Sequence, residues 1–572
     1  MKRILKKFGS SALIATLLLG GCETIELDLT DNPNQLSLDQ SSADLLLNSI
    51  QVDFATFVEL MGQNGADLVR IGYLNGRNYQ NIVNLNPVQL NLEWNIAYQG
   101  DNAETLPSGL EVNGILADIR ALAPIAEEGE LFRHTAIGQF IEAYTIVTLV
   151  DFFGDVPYSE AIQAAAETPI LNPNVDSGAS IYDAALGLLE SAIANFERDV
   201  QTEPENDFYY NGTWSNWVKA CNTLRMKIYL QRRLVDGSAV ASFEALVAEN
   251  NFIDETSEDL QFQWGTNSIL PDSRHPRYAD NYTPSGGADY LPNWLMNYMN
   301  ESSDPRLRYY FYRQVSATPG AEAPTDEETL ACSLEPFPAH YNTPDITFTF
   351  CFLPNGFWGR DHGQNAGIPP DGFLRTVYGV YPSGGKFDDS SFQGLSVGSG
   401  GGGAGVTPIL LASWVDFMQA EVAMLSSDFT TAGDFIQDGL GKSITKVVSF
   451  GALDSSADQS FAPNDSNITS FLNDIDTDFT AADDDGKWNL FAEQYFVTLF
   501  GNGIDGYNFY RRTGFPTSLQ PNLEPEPGAY IRSLNYPADF VNNNSSVDPK
   551  PNQTIQVFWD NNPASPTFPI AN

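Results

Sequence analysis

The stretch that constrains this chain most runs from His134 to Ile162, HTAIGQFIEAYTIVTLVDFFGDVPYSEAI. Ile137, Phe140, Ile141, Tyr144, Val147 and Thr148 recur at helical spacing, giving one apolar stripe. Ile146, Leu149 and Val150 fall on a second side, so the helix is apolar over much of its circumference and has to be enclosed by other helices. It must end at Phe152-Phe153-Gly154-Asp155, because Gly154 frees the backbone and Pro157 forbids continuation. A buried helix with a rigid exit demands a bundle or helical array around it. The aromatic pair at the break is expected to pack back onto neighbouring helices.

At 572 residues the chain can form one large core or two. With 29 basic against 73 acidic residues the net charge is -44, which argues against nucleic acid, since phosphate binding rests on clustered Lys and Arg. The N-terminus has the layout of a secretory leader: Lys2, Arg3, Lys6 and Lys7, then the apolar run Ala12–Leu19, then Gly20-Gly21-Cys22. A Cys directly after two small residues resembles a lipobox, with Cys22 the lipidated first residue of the mature protein. No other stretch reads as long and apolar enough for a membrane helix. Cys332 and Cys351 bracket a loop-like stretch and could be joined in an exported protein, whereas Cys221 sits in an apolar helix and reads as a buried thiol. Without a Cys-x-x-Cys, and with four scattered histidines, zinc is not expected.

Helices are expected at Ser37–Met61, Leu90–Ile125, Ile181–Phe196 (capped by Ser180), Trp214–Leu234, Pro408–Leu425 and Trp488–Phe500. Between the first two, Tyr73, Asn75, Arg77, Asn78 and Tyr79 fall within seven positions, the mixture of rings and planar hydrogen-bonders that suits a sugar. From about Asn251 to Gly405, Gly, Pro, Ser, Asn and Asp dominate and the aromatics scatter. Trp358-Gly359-Arg360-Asp361-His362 is the densest cluster there, with Trp264 and Trp294 next as candidate ligand contacts. The tract Gly398–Gly405 (GSGGGGAG) reads as a flexible loop tip. Glu421 on an otherwise apolar face needs a cation if buried, and Arg511 or Arg512 is the expected partner.

Catalytic motifs fail on context. Gly394-Leu395-Ser396-Val397-Gly398 runs into a glycine tract instead of the helix a nucleophile elbow requires. Gly398-x-Gly400-x-x-Gly403 lacks a βαβ frame, and Ile436 stands where a phosphate loop ending in Gly441-Lys442-Ser443 needs glycine. Paired carboxylates for glycoside hydrolysis could be drawn from 73 acids at any spacing. Asp476, Asp478, Asp483, Asp484 and Asp485 could hold a structural calcium ion, although a solvated acidic loop reads better.

Phe152–Ala161 (FFGDVPYSEA) resembles the "LFGDVPY" signature of the SusD/RagB family, the surface nutrient-binding lipoproteins of the Bacteroidota. Trp217, Lys219, Ala220, Leu224, Lys227, Tyr229 and Leu230 match a second family stretch; Gln419-Ala420-Glu421, Arg511-Arg512-Thr513-Gly514 and IRSLNYP (from Ile531) match three more. The resemblance implies a mainly α fold: a tetratricopeptide-like helical solenoid with a long loop-rich insertion carrying short strands and helices. It implies a leader over 1–21, a tether over 22–36 and a single domain over 37–572, with 37–250 and 406–535 as scaffold and 251–405 as ligand face. It further implies a non-enzymatic protein without a cofactor, lipid-anchored on the extracellular face of the outer membrane. Such a protein delivers oligosaccharide to a TonB-dependent, SusC-like transporter, whose interface is expected mainly on the helical side. Alternatives are a peptide ligand in the same role and a surface glycoside hydrolase.

Overall fold

The structure is a computed structural model that describes residues 42–76, 78–79, 82, 85–100, 113–163, 168–321, 329–343, 346–365 and 371–569. Cys22, the leader, the tether, the Ser37 cap and Arg77 lie outside these residues. The first half is helical: α1 (Ala43–Leu68), α2 (Asn91–Ala97), α3 (Ile115–Glu128), α4 (Phe132–Phe153), α5 (Gly178–Phe196), α6 (Trp214–Arg232) and α7 (Ala239–Glu249). The single helix expected over Leu90–Ile125 is thus two, α2 and α3, flanked by Gly100 and Gly114 with φ of +70° and +94°. The cap of α5 is Ser177, whose side chain accepts from the Ser180 N–H, three residues before the expected cap.

Helix α4 is the axis of this half. It packs on α5, α3 and α1 and buries nearly all of its length. By length and composition it could cross a membrane, contrary to the sequence reading that nothing after the leader could, but 94% of its most apolar window is enclosed by protein. Each residue of its exit has a task. Phe152 meets the Tyr507 ring at 5.1 Å and Phe153 the Trp94 ring at 5.3 Å. Gly154, at φ +78° and ψ -130°, occupies a conformation a side chain would forbid, while its N–H still caps Val150 O at 2.8 Å. Asp155 Oδ1 accepts from Gly178 N at 2.8 Å, placing a carboxylate at the start of α5. Pro157 O accepts from Tyr98 Oη at 2.7 Å, and Tyr158 Oη donates to Glu142, which also holds Arg120 at 2.6 Å. The motif is therefore a set of joints between helices.

The insertion carries β1 (Leu260–Gln263), α8 (Pro276–Asn281), α9 (Asn293–Glu301), α10 (Leu307–Tyr310), β2 (Phe311–Tyr312) and β3 (Val377–Tyr378), and β4 (Val406–Leu410) closes it. β1 pairs antiparallel with β4, Leu260 opposite Leu410, and β2 pairs antiparallel with β3. The glycine tract is no free tip. Gly401 and Gly403 donate to Gly385 O and Gly384 O at 3.0 and 3.1 Å, and a Cβ on Gly400 would lie 2.0 Å from Gly385 O. Gly400, Gly401 and Gly405 are glycines because two backbones touch there.

The chain then returns to helix: α11 (Ala412–Leu425), α12 (Phe429–Ser449), α13 (Asp465–Ala481), α14 (Asp484–Thr498), α15 (Ile504–Thr513) and the short α16 (Ala538–Asn543). Asp476 and Asp478 lie on the exposed face of α13, while Asp483 caps α14 through Gly486 N at 2.9 Å, so the acids form helix surface and cap instead of a loop. Among the described residues no group of three or more Asp, Glu, His or Cys side chains is gathered for a metal ion. Glu421 takes a two-pronged bond from Arg512 (Nε 2.8 Å, Nη2 2.6 Å) and a second cation, Arg233, at 3.0 Å. Arg511 instead donates to Arg532 O and Asn508. Residues 43–572 form one compact unit.

Candidate loop-face site

Two loops singled out in the sequence meet in space. Gly363 N donates to Leu74 O at 3.2 Å, Tyr73 Oη to Gln364 O, and Tyr79 Oη lies 3.2 Å from His362 Nε2. Gly363 must be glycine: at φ +78° its absent Cβ would stand 2.5 Å from the Asn522 amide. A third segment joins them. Asn293 N donates to Arg360 O and Arg360 N to Leu291 O, both at 2.9 Å.

Tyr290 is the centre of the cluster. The guanidinium carbons of Arg360 and Arg375 stand 4.3 and 3.7 Å from the centre of its ring, which meets Tyr73 edge-on at 5.6 Å. Its hydroxyl donates to Asp371 Oδ2 at 2.7 Å and accepts from Arg360 at 3.0 Å and Arg375 at 2.8 Å. Trp358 Nε1 donates to the same Asp371 oxygen at 3.2 Å. Tyr73, Asn75, Tyr290 and Arg375 are half-buried, while Phe373 on the same Asp371–Arg375 turn is 59% exposed.

Several buried polar atoms here have no partner among the described residues: Arg360 Nε and Nη1, both side-chain polar atoms of Gln364, His362 Nδ1 and Asn522 Nδ2. Arg360, Gln364 and His362 are 3%, 1% and 3% exposed. Unsatisfied groups at that depth each cost stability and are uncommon in a folded protein. Burial and the Arg70 charge hold His362 well below the usual imidazole range, so it is neutral at pH 7. Burial pushes the Asp361 carboxyl up, against donors from Asn293, Cys351 N and Gln520 at 2.9, 2.7 and 2.8 Å. Behind the site lies a small core of Leu330, Cys332, Cys351 and Trp358, in which Cys332 and Cys351 are disulfide-bonded.

The structure therefore brings Tyr73, Asn75, Tyr79, Trp358, Arg360, Asp361 and His362 to one place; of the five buried ones, Trp358, Asp361 and Tyr79 have their side-chain polar atoms bonded within the protein, whereas Arg360 and His362 keep atoms without a partner among the described residues. Trp294 follows Arg360's partner strand, yet its ring stacks on Tyr298 and its Nε1 donates to Ser518 O at 2.8 Å. Trp264 is elsewhere, buried with its Nε1 on Thr407 at 2.9 Å. The sequence reading passed over Gln364, Asp371, Phe373 and Arg375. The pairing of Asp371 with Arg375 four positions on was the available signal for two of them.

The sequence profile of the SusD-like family, described as "Starch-binding associating with outer membrane", matches residues 38–325, half of the chain. This chain is a member of the SusD-like family. Solved structures agree in fold. A SusD/RagB family protein from Bacteroides thetaiotaomicron superposes with a TM-score of 0.60 at 14% identity, covering 91% of this chain and 99% of that one. A chitin-binding SusD homologue from Flavobacterium johnsoniae gives 0.58 at 16% identity (91% and 99%), and a SusD homologue from Bacteroides uniformis gives 0.55 at 17% (90% and 99%). No curated protein sequence matches. The SusD-like fold accounts for the mainly helical architecture, and the family is one of binding proteins.

Proposed function

We propose that this protein captures nutrient oligosaccharides on the loop face around Tyr290 and delivers them to a SusC-like, TonB-dependent outer-membrane transporter. Cys22 would anchor it by lipid to the extracellular face of the outer membrane. The observation that carries the reading is the group of buried donors and acceptors on Arg360, Gln364 and His362 that have no partner among the described residues, beside the half-exposed rings of Tyr73 and Tyr290 and the exposed Phe373. Sugar hydroxyls both donate and accept, so they can satisfy a guanidinium, a carboxamide and an imidazole nitrogen together, while a pyranose face lies on a ring. No chemical step is assigned to the protein: Asp371 is committed to Tyr290, Trp358 and Arg375, and Asp361 to three donors.

The test is a calorimetric screen of the purified lipoprotein against oligosaccharides and short peptides, repeated with Arg360→Met and paired with a reducing-end assay. Oligosaccharide binding that weakens at least tenfold in the variant supports the reading. Peptide binding alone would transfer the site to the peptide alternative, and release of new reducing ends would overturn a purely binding role.

A further inference from the structure

A second cavity, of about 330 Å³, lies between α2, the segment after the Gly154 break and α16. It shares no lining residue with the Tyr290 cluster. Its aromatic wall is built from Trp94, Tyr98 and Phe540: the Trp94 ring stands 4.7 Å from Tyr98 and 4.6 Å from Phe540. Tyr98 is fixed by its bond to Pro157 O, so this wall is held by the break motif itself. Ile162, a β-branched residue at φ +58°, also lines it. That conformation is costly for such a side chain, and strain of this kind gathers where a surface is shaped for use.

The polar groups at the cavity are of one kind. Asn95, Gln99 and Asn543 present carboxamides from two separate elements, and their side chains make no hydrogen bond to other described residues. Among the described residues the one charged lining group is Asp539, whose carboxylate accepts from Asn91 Nδ2 at 2.8 Å. Among the described residues no cation lines the cavity. Rings, an apolar wall and free carboxamides without a counter-charge select against anions and for a neutral ligand with alternating donors and acceptors.

We infer that this cavity is a second carbohydrate site, taking one or two neutral pyranose units, with Asn95 and Asn543 bonding the hydroxyls. The inference stands on the cavity's own lining and does not need the loop-face reading. The test uses the purified full-length lipoprotein and three probes: maltose, cellobiose and N,N′-diacetylchitobiose at millimolar concentration. Binding is followed by saturation-transfer NMR and calorimetry. Variants are Asn95→Ala with Asn543→Ala, at a half-buried and an exposed position, and Arg360→Met for the first site. The expected result is at least one disaccharide whose binding has a component lost tenfold or more in the double variant and unchanged in Arg360→Met. No probe showing a component sensitive to the double variant would overturn the inference, as would a component removed equally by Arg360→Met. A component sensitive to the double variant with none sensitive to Arg360→Met would support this site and strike the loop-face reading.

Discussion

Gln364→Leu should make this protein more stable and a poorer binder. The Gln364 carboxamide is 1% exposed, and neither its oxygen nor its nitrogen has a partner among the described residues. A buried polar group without a bond costs about 1–3 kcal/mol, and an apolar side chain of similar volume removes that cost. The main-chain oxygen that accepts from Tyr73 is untouched by the change. Unfolding entropy near 2.1 cal/mol/K per residue, over a unit of roughly 530 residues, gives about 1 °C per kcal/mol, hence an expected rise of about 1–3 °C. Differential scanning fluorimetry measures it, and oligosaccharide titration of the same sample should show at least a tenfold loss. A melting point lowered by several degrees with affinity unchanged would mean that Gln364 is an ordinary core residue, and the reading of its unmet bonds would fail.

Glu421→Ala should lower stability by about 3–5 kcal/mol, because Arg512 and Arg233 would stay buried without their counter-ion; an unchanged melting temperature would refute the clamp. Asp53, whose carboxyl burial raises to about 7 from an ordinary value of 3.8, binds a proton more tightly folded than unfolded. Its contribution is therefore fully present below about pH 4 and lost as pH rises through 7, by up to about 4 kcal/mol. Asp53→Asn should stabilise the protein at pH 8 and change little at pH 4, as melting curves at the two values will show. Replacing Cys332 and Cys351 by Ser should cost about 3 kcal/mol from the reopened loop and weaken oligosaccharide binding, since the pair lies in the small core beneath Trp358; unchanged affinity in calorimetry would separate that core from the site.

How far these features were legible in the sequence depended on whether the deciding contact was local. The break at Gly154 and the burial of α4 could be read, because helical spacing and a Gly-x-x-Pro stop are local signals. The Glu421–Arg512 clamp was legible from a charge on an apolar stripe, which has to be neutralised from somewhere. The glycine tract was misread because its reason is another segment: flexibility and close backbone contact call for the same residue, and the Gly384–Lys386 turn decides between them. At the candidate site the sequence located the loops but not the roles. Trp358 and Arg360 are two residues apart, yet one is bonded to Asp371 and the other keeps two donors without a partner among the described residues. Tyr290 became central only when the chain brought Arg360 and Arg375 onto its ring.

The most direct test of the central claim is a crystal structure of the protein with the oligosaccharide that gives the largest heat in the calorimetric screen. The account places a sugar against Tyr73, Tyr290 or Phe373, with hydroxyls bonded to Arg360 and the Gln364 carboxamide. A complex in which the sugar lies elsewhere and those groups remain unmet would contradict it.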